Sequence, residues 1–311
     1  MDRTQQETET RSSGRDAGTT DLTGAGRSRS DVGYRGTVRR LLRARMAPVG
    51  LLVILILILS AIFAPWIAPF EPREQNFAVA LESPNTTYFM GTDQLGRDTF
   101  SRVVYGSRVS LQVGVIAVGI SLLVGTTLGL IAGYAGVSFI DSLIMRFMDA
   151  LLAFPALVLA LAITAALGPS LTNVMIAVGI VGIPIYARLV RGQVLSVRQR
   201  EYVEAARTVG VPDYLIIIRH IFPNVTAPLI VQASIGVAVA IIAEASLSFL
   251  GLGVQPPTPS WGGMIAVGKD WLGRAPWMSF APGVAIFVTV LAFNFVGDAL
   301  RDALDPHMRN L

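Results

Sequence analysis

The sequence predicts an all-α integral membrane protein: six transmembrane helices and, between the fourth and fifth, a short helical hairpin on the cytoplasmic side. Three observations carry that expectation. The 311 residues are 52% hydrophobic and 15% charged, with a mean hydropathy of +0.58, where globular domains carry about 25% charged residues. Six apolar runs each approach the ~20 residues needed to cross a bilayer. Arginines gather before the first run and again after the fourth, which is an orientation signal.

Composition also excludes several classes. There is no cysteine, so disulfides, thiolate metal sites and thiol catalysis are ruled out. The two histidines, His220 and His307, both lie in polar segments, which argues against a histidine-dependent intramembrane hydrolase. A pI near 9.7 reflects arginines flanking apolar runs, so no nucleic-acid partner is expected and membrane lipid is.

Residues 1–46 are rich in Ser, Thr, Gly, Arg and acids, too polar to bury a core. They read as a disordered cytoplasmic tail ending in Arg39, Arg40, Arg43 and Arg45. Residues 47–109 hold the first span, Ala47–Ile67, and an extracytoplasmic segment. That segment carries Arg73, Arg97, Arg102 and Arg108 against the positive-inside rule, with acids such as Asp93 and Asp98 interleaved. Residues 110–305 form a five-helix core, with spans at Ser110–Tyr134, Ile140–Leu167, Leu171–Leu189, Thr226–Leu247 and Pro282–Leu300 and a polar loop at 198–224. Residues 306–311 are a cytoplasmic C-terminus. An even number of spans places both ends inside, as the arginines Arg188, Arg191, Arg198, Arg200, Arg207 and Arg219 require.

Within the second span, Gly125, Gly129 and Gly133 make a ridge that lets helices approach closely, inside the chain or between chains. Pro155 and Pro184 should kink the third and fourth spans. In the third span Arg146 and Asp149 are i, i+3 neighbours able to neutralise each other. Glu244, near the outer end of the fifth, has no local partner. Trp66, Trp261, Trp271 and Trp277 read as outer interfacial anchors. The run Gly263 to Asp270 nearly spells a phosphate-binding loop, but Asp270 stands where Ser or Thr must hold magnesium.

The polar loop is the most distinctive stretch. Tyr202, Ala205, Ala206 and Val209 share one face of a first short helix. Glu204 and Arg207 form an i, i+3 pair, and Gly210 sits where a left-handed C-terminal cap is needed. Pro212 and Asp213 open a second helix, with Tyr214, Ile217, Ile218 and Ile221 on one stripe, and Pro223 ends it. An apolar-faced hairpin of this kind either docks a partner or lies at the lipid surface.

Glu204-Ala205-Ala206, three residues, Gly210, and then Phe222-Pro223 at the expected distance resemble the "EAA" coupling loop of ABC-importer permeases. His220 stands where the general pattern has Ile, and Phe222 replaces Leu. Arg219 to Asn224 is similar to the peptide and nickel branch, as are Met90 to Arg102 and Glu244 to Gly262. The resemblance covers Gly91 to about Pro306 and points to the permease subunit with an extra N-terminal span. It implies a type I ABC importer permease fold in a bacterial plasma membrane. It also implies a heterodimer with a second permease, two cytoplasmic ATPases, an extracytoplasmic solute-binding protein and a di- or oligopeptide substrate. Catalytic residues and metal ligands are not expected; ATP and magnesium would sit on the ATPases. The coupling residues carried over are Glu201, Glu204, Ala205, Ala206, Gly210, His220, Phe222 and Pro223.

Asp149 and Glu244 are translocation-path candidates. Glu244 either meets a substrate amino group or caps the Gly-rich loop after it, and Trp261 either anchors or touches the binding protein. Two rivals remain open at this stage. One is a permease for nickel or another small solute. The other is a lone secondary transporter using Asp149 and Glu244 as proton carriers, although no internal repeat is visible.

Overall fold

A computed structural model describes residues 46–304. The polar tail with its arginine cluster, and the C-terminal 306–311 with His307, lie outside the described residues. Helix α1 (Ala47–Ile62) and the one-turn α2 (Ala64–Ile67) are separated only by Phe63. Pro48 and Pro65 fall in their first turns, where a missing N–H costs nothing. Helix α3 (Thr99–Ala135) has 37 residues and starts eleven before the expected span. Its Asp98 cap accepts from the Ser101 N–H at 2.8 Å, and its polar first turns carry no hydropathy signal.

The third run is not one kinked helix. Helices α4 (Phe139–Leu152) and α5 (Ala156–Leu167) meet at 91°. Pro155 is the N-cap of α5 with an extended ψ of 128°, so the chain leaves α4 and restarts rather than bending through. Helix α6 (Leu171–Val197) behaves in the opposite way and runs through Pro184. After the hairpin helices α7 (Glu201–Thr208) and α8 (Asp213–Ile216) comes a π-turn, Ile217–Ile221, leading into α9 (Phe222–Phe249). Helices α10 (Trp261–Gly268) and α11 (Trp277–Leu304) complete the described residues.

Among the described residues, four helical runs are long and apolar enough to cross a membrane: α3, α6, Asp213–Phe249 and α11. The bent α4–α5 pair would be a fifth, and α1 is a shorter apolar helix of 16 residues.

The α3–α6 pair is the most extensive helix packing in the chain. Its cause is the glycine ridge. A Cβ added at Gly125 would lie 2.7 Å from the Ile183 carbonyl oxygen, at Gly129 2.5 Å from that of Ala187, and at Gly133 2.7 Å from the Val194 Cβ. The ridge therefore serves packing inside the chain.

The arginines that stood against the orientation rule are occupied locally. The Arg108 guanidinium donates to the Ala61 and Ile62 carbonyls, closing the C-terminal end of α1. Arg102 donates to the Pro72 carbonyl at 2.8 Å, and Arg97 pairs with Asp93 at 2.6 Å in a buried cluster.

Trp261 is no interfacial anchor. It is 2% exposed, and its Nε1 donates to the Val103 carbonyl at 2.9 Å. Trp66, at 77% exposed, keeps the interfacial character. Gly263 to Gly268 lie inside α10, so no phosphate-cradling loop forms there.

Candidate functional site

The hairpin turns at Gly210, whose φ is +81°. The Gly210 N–H donates to the Arg207 carbonyl at 2.9 Å and the Val211 N–H to that of Ala206 at 3.0 Å. This is the paired bonding of a Schellman cap, which needs a left-handed residue at that position. Nothing lies within 4 Å of a Cβ built there, so glycine is required by conformation and not by space.

Two expectations about the hairpin are corrected. On α7 the inward residues are Val203 and Ala206; Tyr202, Ala205 and Val209 face outward. The helix carries two apolar stripes, and periodicity alone does not say which packs home. The second helix does not end at Pro223. The Phe222 N–H bonds to the Ile217 carbonyl across the π-turn, and Pro223 occupies the first turn of α9. The wider turn takes the chain past the missing proline donor, so α8 runs on into the fifth span. On that strip Ile216, Ile221 and Val225 are buried while Tyr214, Ile218 and Phe222 are exposed. The hairpin thus presents an outward apolar surface, with Val209 79% and Tyr214 63% exposed, beside exposed Glu201 and Glu204.

Side chains close the hairpin on itself. The Asn224 Nδ2 donates to the His220 carbonyl at 2.7 Å and to the Tyr202 hydroxyl at 3.3 Å, and the Tyr202 and His220 rings lie 6.2 Å apart. A second set ties the hairpin to the end of α3. The Tyr134 hydroxyl donates to Asp213 Oδ1 at 2.5 Å, and the Arg207 guanidinium lies 5.4 Å from the Tyr134 ring centroid. Arg198 donates to the Gly133 and Tyr134 carbonyls at 3.2 and 3.1 Å, closing the C-terminal carbonyls of α3. The hairpin is therefore joined covalently to α6 and α9 and by side chains to α3. Tyr134, Arg198 and Asp213 were not legible as a set, because their partners stand up to 79 residues apart.

The charges on α4 pair differently from the i, i+3 expectation. Asp149 pairs with Arg188 of α6, not with Arg146. One turn of helix separates Arg188 from Arg191, which makes a two-pronged pair with the buried Asp141 at 2.5 and 2.7 Å. Tertiary pairing across α4 and α6 overrides the local pair, since a planar guanidinium matches a carboxylate best head-on.

A cleft of about 390 Å³ opens where α4 breaks into α5. Leu151, Phe154, Tyr186, Gln232 and Ser246 are among its walls. Asp149 and Glu244 do not line it. Glu244 is fully buried near the far end of α9, and among the described residues no group of His, Asp or Glu could hold a metal.

Comparison with known proteins agrees with this layout. Residues 125–310 match the family model described as a binding-protein-dependent transport system inner membrane component. Residues 34–84 match the N-terminal TM domain of oligopeptide transport permease C. The dipeptide transport system permease protein DppC of Alkalihalophilus pseudofirmus is 49% identical over 277 residues, 89% of this chain and 91% of that protein. The di/tripeptide transport system permease protein DppC of Pseudomonas aeruginosa is 47% identical, covering 84% and 88%. The glutathione transport system permease protein GsiD of Escherichia coli is 46% identical, covering 87% and 89%. Among solved structures, the crystal structure of an amino acid ABC transporter with histidines aligns with a TM-score of 0.51 at 18% identity, over 68% of this chain and 95% of that one. That likeness speaks to the fold alone.

Proposed function

The chain belongs to the binding-protein-dependent transport inner-membrane components, and from that premise we propose that it is a permease subunit of an ATP-driven importer of dipeptides and short oligopeptides. A second permease would complete the pathway, two ATPases would dock on the cytoplasmic side, and an extracytoplasmic binding protein would deliver the peptide. The observation that carries the reading is the hairpin. A glycine-capped turn presents Glu201, Glu204 and an exposed apolar strip outward, while the same segment runs unbroken into a spanning helix. An apolar patch rimmed by charge marks an interaction surface. Dipeptides and di/tripeptides are named for relatives 49% and 47% identical over 89% and 84% of the chain, and glutathione for one 46% identical over 87%.

In this mechanism the chain performs no bond chemistry and binds no cofactor. ATP and magnesium act on the ATPase subunits. Their closure displaces the hairpin, and the rigid α8–α9 run and the Tyr134 tie carry that displacement to α9 and α3. His220, Phe222 and Pro223 lie at the π-turn, where the hairpin becomes a span. We place the apolar cleft at the α4–α5 break beside the pathway, with the Asp149–Arg188 pair joining α4 to α6 close to the break.

Reconstitution tests the reading. The purified chain alone is expected neither to hydrolyse ATP nor to take up peptide, while the four-subunit complex with binding protein does both. Uptake by the lone chain driven by a pH gradient would favour a stand-alone proton-coupled transporter. Orientation has its own test, made simple by the absence of native cysteine. Single cysteines at exposed Ser83 and Gln255 are expected to react with an impermeant maleimide in intact cells, and one at exposed Ser196 is not. Labelling at Ser196 would put the hairpin outside, where no ATPase could reach it.

A further inference from the structure

We propose that Glu244 is a positioning residue whose buried carboxyl ties the Leu250–Pro259 loop to the last turns of α9, against which the start of α10 packs, so that the end of the chain opposite the hairpin moves as one block. The tie can be followed atom by atom. The Ser248 hydroxyl, one turn on, donates to Glu244 Oε1 at 2.7 Å. The same Ser248 oxygen accepts the Val254 N–H at 3.2 Å, reaching across the turn at Gly251. Ser260, 2% exposed, caps α10 by accepting the Gly263 N–H at 3.2 Å. One carboxyl thus holds the loop to the helix through Ser248.

Close packing surrounds it. A Cβ on Gly253 would lie 1.9 Å from Ser248 Oγ, and one on Gly262 would lie 2.2 Å from the Ala245 carbonyl oxygen. Trp261, next to Ser260, bonds to Val103 of α3, and its ring lies 2.7 Å from where a Gly106 Cβ would be. The block therefore reaches α3 as well.

Glu244 is 0% exposed, does not line the cleft, and has no ion-pair partner among the described residues. A carboxyl in that setting is placed to organise hydroxyls and not to receive a transported amine. Its Oε2 has no hydrogen-bond partner. A glutamine can supply an N–H from that position while its Oε1 still accepts from Ser248, so the amide keeps the tie and an apolar side chain of similar size removes it.

The test uses the assembled importer in its membrane, with Val254→Cys as a reporter of loop exposure, because Val254 is buried in the tied loop and its bond to Ser248 uses only the backbone N–H. E244Q is expected to label and transport within about twofold of the parent, whereas E244L labels at least roughly fivefold faster and loses about tenfold or more of uptake at equal membrane abundance, as a severed buried network should. If E244L does not accumulate, S248A carries the test, since it cuts the arm to Val254 alone, and faster labelling is again expected. Parent-like labelling in both E244L and S248A would overturn the proposal. So would an E244Q as defective as E244L, which would show that an ionised group is needed there. Labelling is read without substrate. A complex that shows this contrast yet imports no peptide would therefore sink the peptide reading and leave the tie standing.

Discussion

Replacing Gly129 with leucine is expected to remove most of the chain from the membrane. The added Cβ alone would sit 2.5 Å from the Ala187 carbonyl oxygen and 2.7 Å from the Val190 Cβ. Backbone cannot rotate away as a side-chain tip can, so α3 and α6 must separate along their whole seam. Overpacking a tight core typically costs about 1–3 kcal/mol, occasionally more, and this contact lies in the most extensive helix pair of the chain. A loss of about 3 kcal/mol would be a large share of the roughly 5–15 kcal/mol that separates folded from unfolded states. Gly119 supplies the control on the same helix, because nothing lies within 4 Å of a Cβ there. Gly119→Leu should accumulate and melt in detergent like the parent, while Gly129→Leu accumulates at a tenth of the parent or less, about 1.4 kcal/mol or more in the folding equilibrium. Equal abundance and melting for the two variants would show that the ridge does not set the α3–α6 spacing.

That ridge was readable from Gly125-xxx-Gly129-xxx-Gly133, since small residues at helical spacing mean close approach whichever helix answers them. The answering helix was not readable, because Ala187 and Val190 announce nothing of the kind. The same division runs through the site. Gly210 was legible because a chain reversal between two short helices demands a positive φ. The outward face of α7 was not, because Tyr202, Ala205 and Val209 look as apolar as Val203 and Ala206, and only the packed chain tells them apart. Asp149 carried an obvious neighbour in Arg146, yet Arg188 of α6 took it. Pairing across helices depends on how α4 lies on α6, and α4 lies as it does because the chain breaks by 91° at Pro155. A proline in an apolar run predicts a disturbance but not its angle. Glu244 was conspicuous as a lone carboxyl, and its partner Ser248 was in view, but serines are too common to be assigned in advance.

Two substitutions in the hairpin should abolish uptake by different routes. In Gly210→Val a β-branched side chain is forced to φ near +81°, at about 1–3 kcal/mol of backbone strain. No atom lies within 4 Å of the new Cβ, so the strain acts on the turn alone and leaves the spans untouched. Gly210→Asn tolerates the left-handed region and should retain most uptake, which separates conformation from side-chain size. Glu204→Lys leaves the turn intact. The Glu204 side chain is exposed and makes no hydrogen bond or ion pair among the described residues; only its carbonyl is used, by Thr208 at 3.0 Å. A lysine in the first turn of a helix costs a few tenths of a kcal/mol to about 1 kcal/mol against the helix dipole, too little to unfold the chain. Its effect must then come from a surface outside the chain, the one the ATPases would present. Both variants should reach the membrane at parental abundance and leave the binding protein's affinity unchanged. Peptide uptake should fall at least about tenfold in each, the equivalent of 1.4 kcal/mol in coupling, with ATPase co-purification weakened most in Glu204→Lys. Full uptake by both at normal abundance would mean that this hairpin does not carry the stroke, and the proposed route from ATP to the spans would have to be sought elsewhere in the chain.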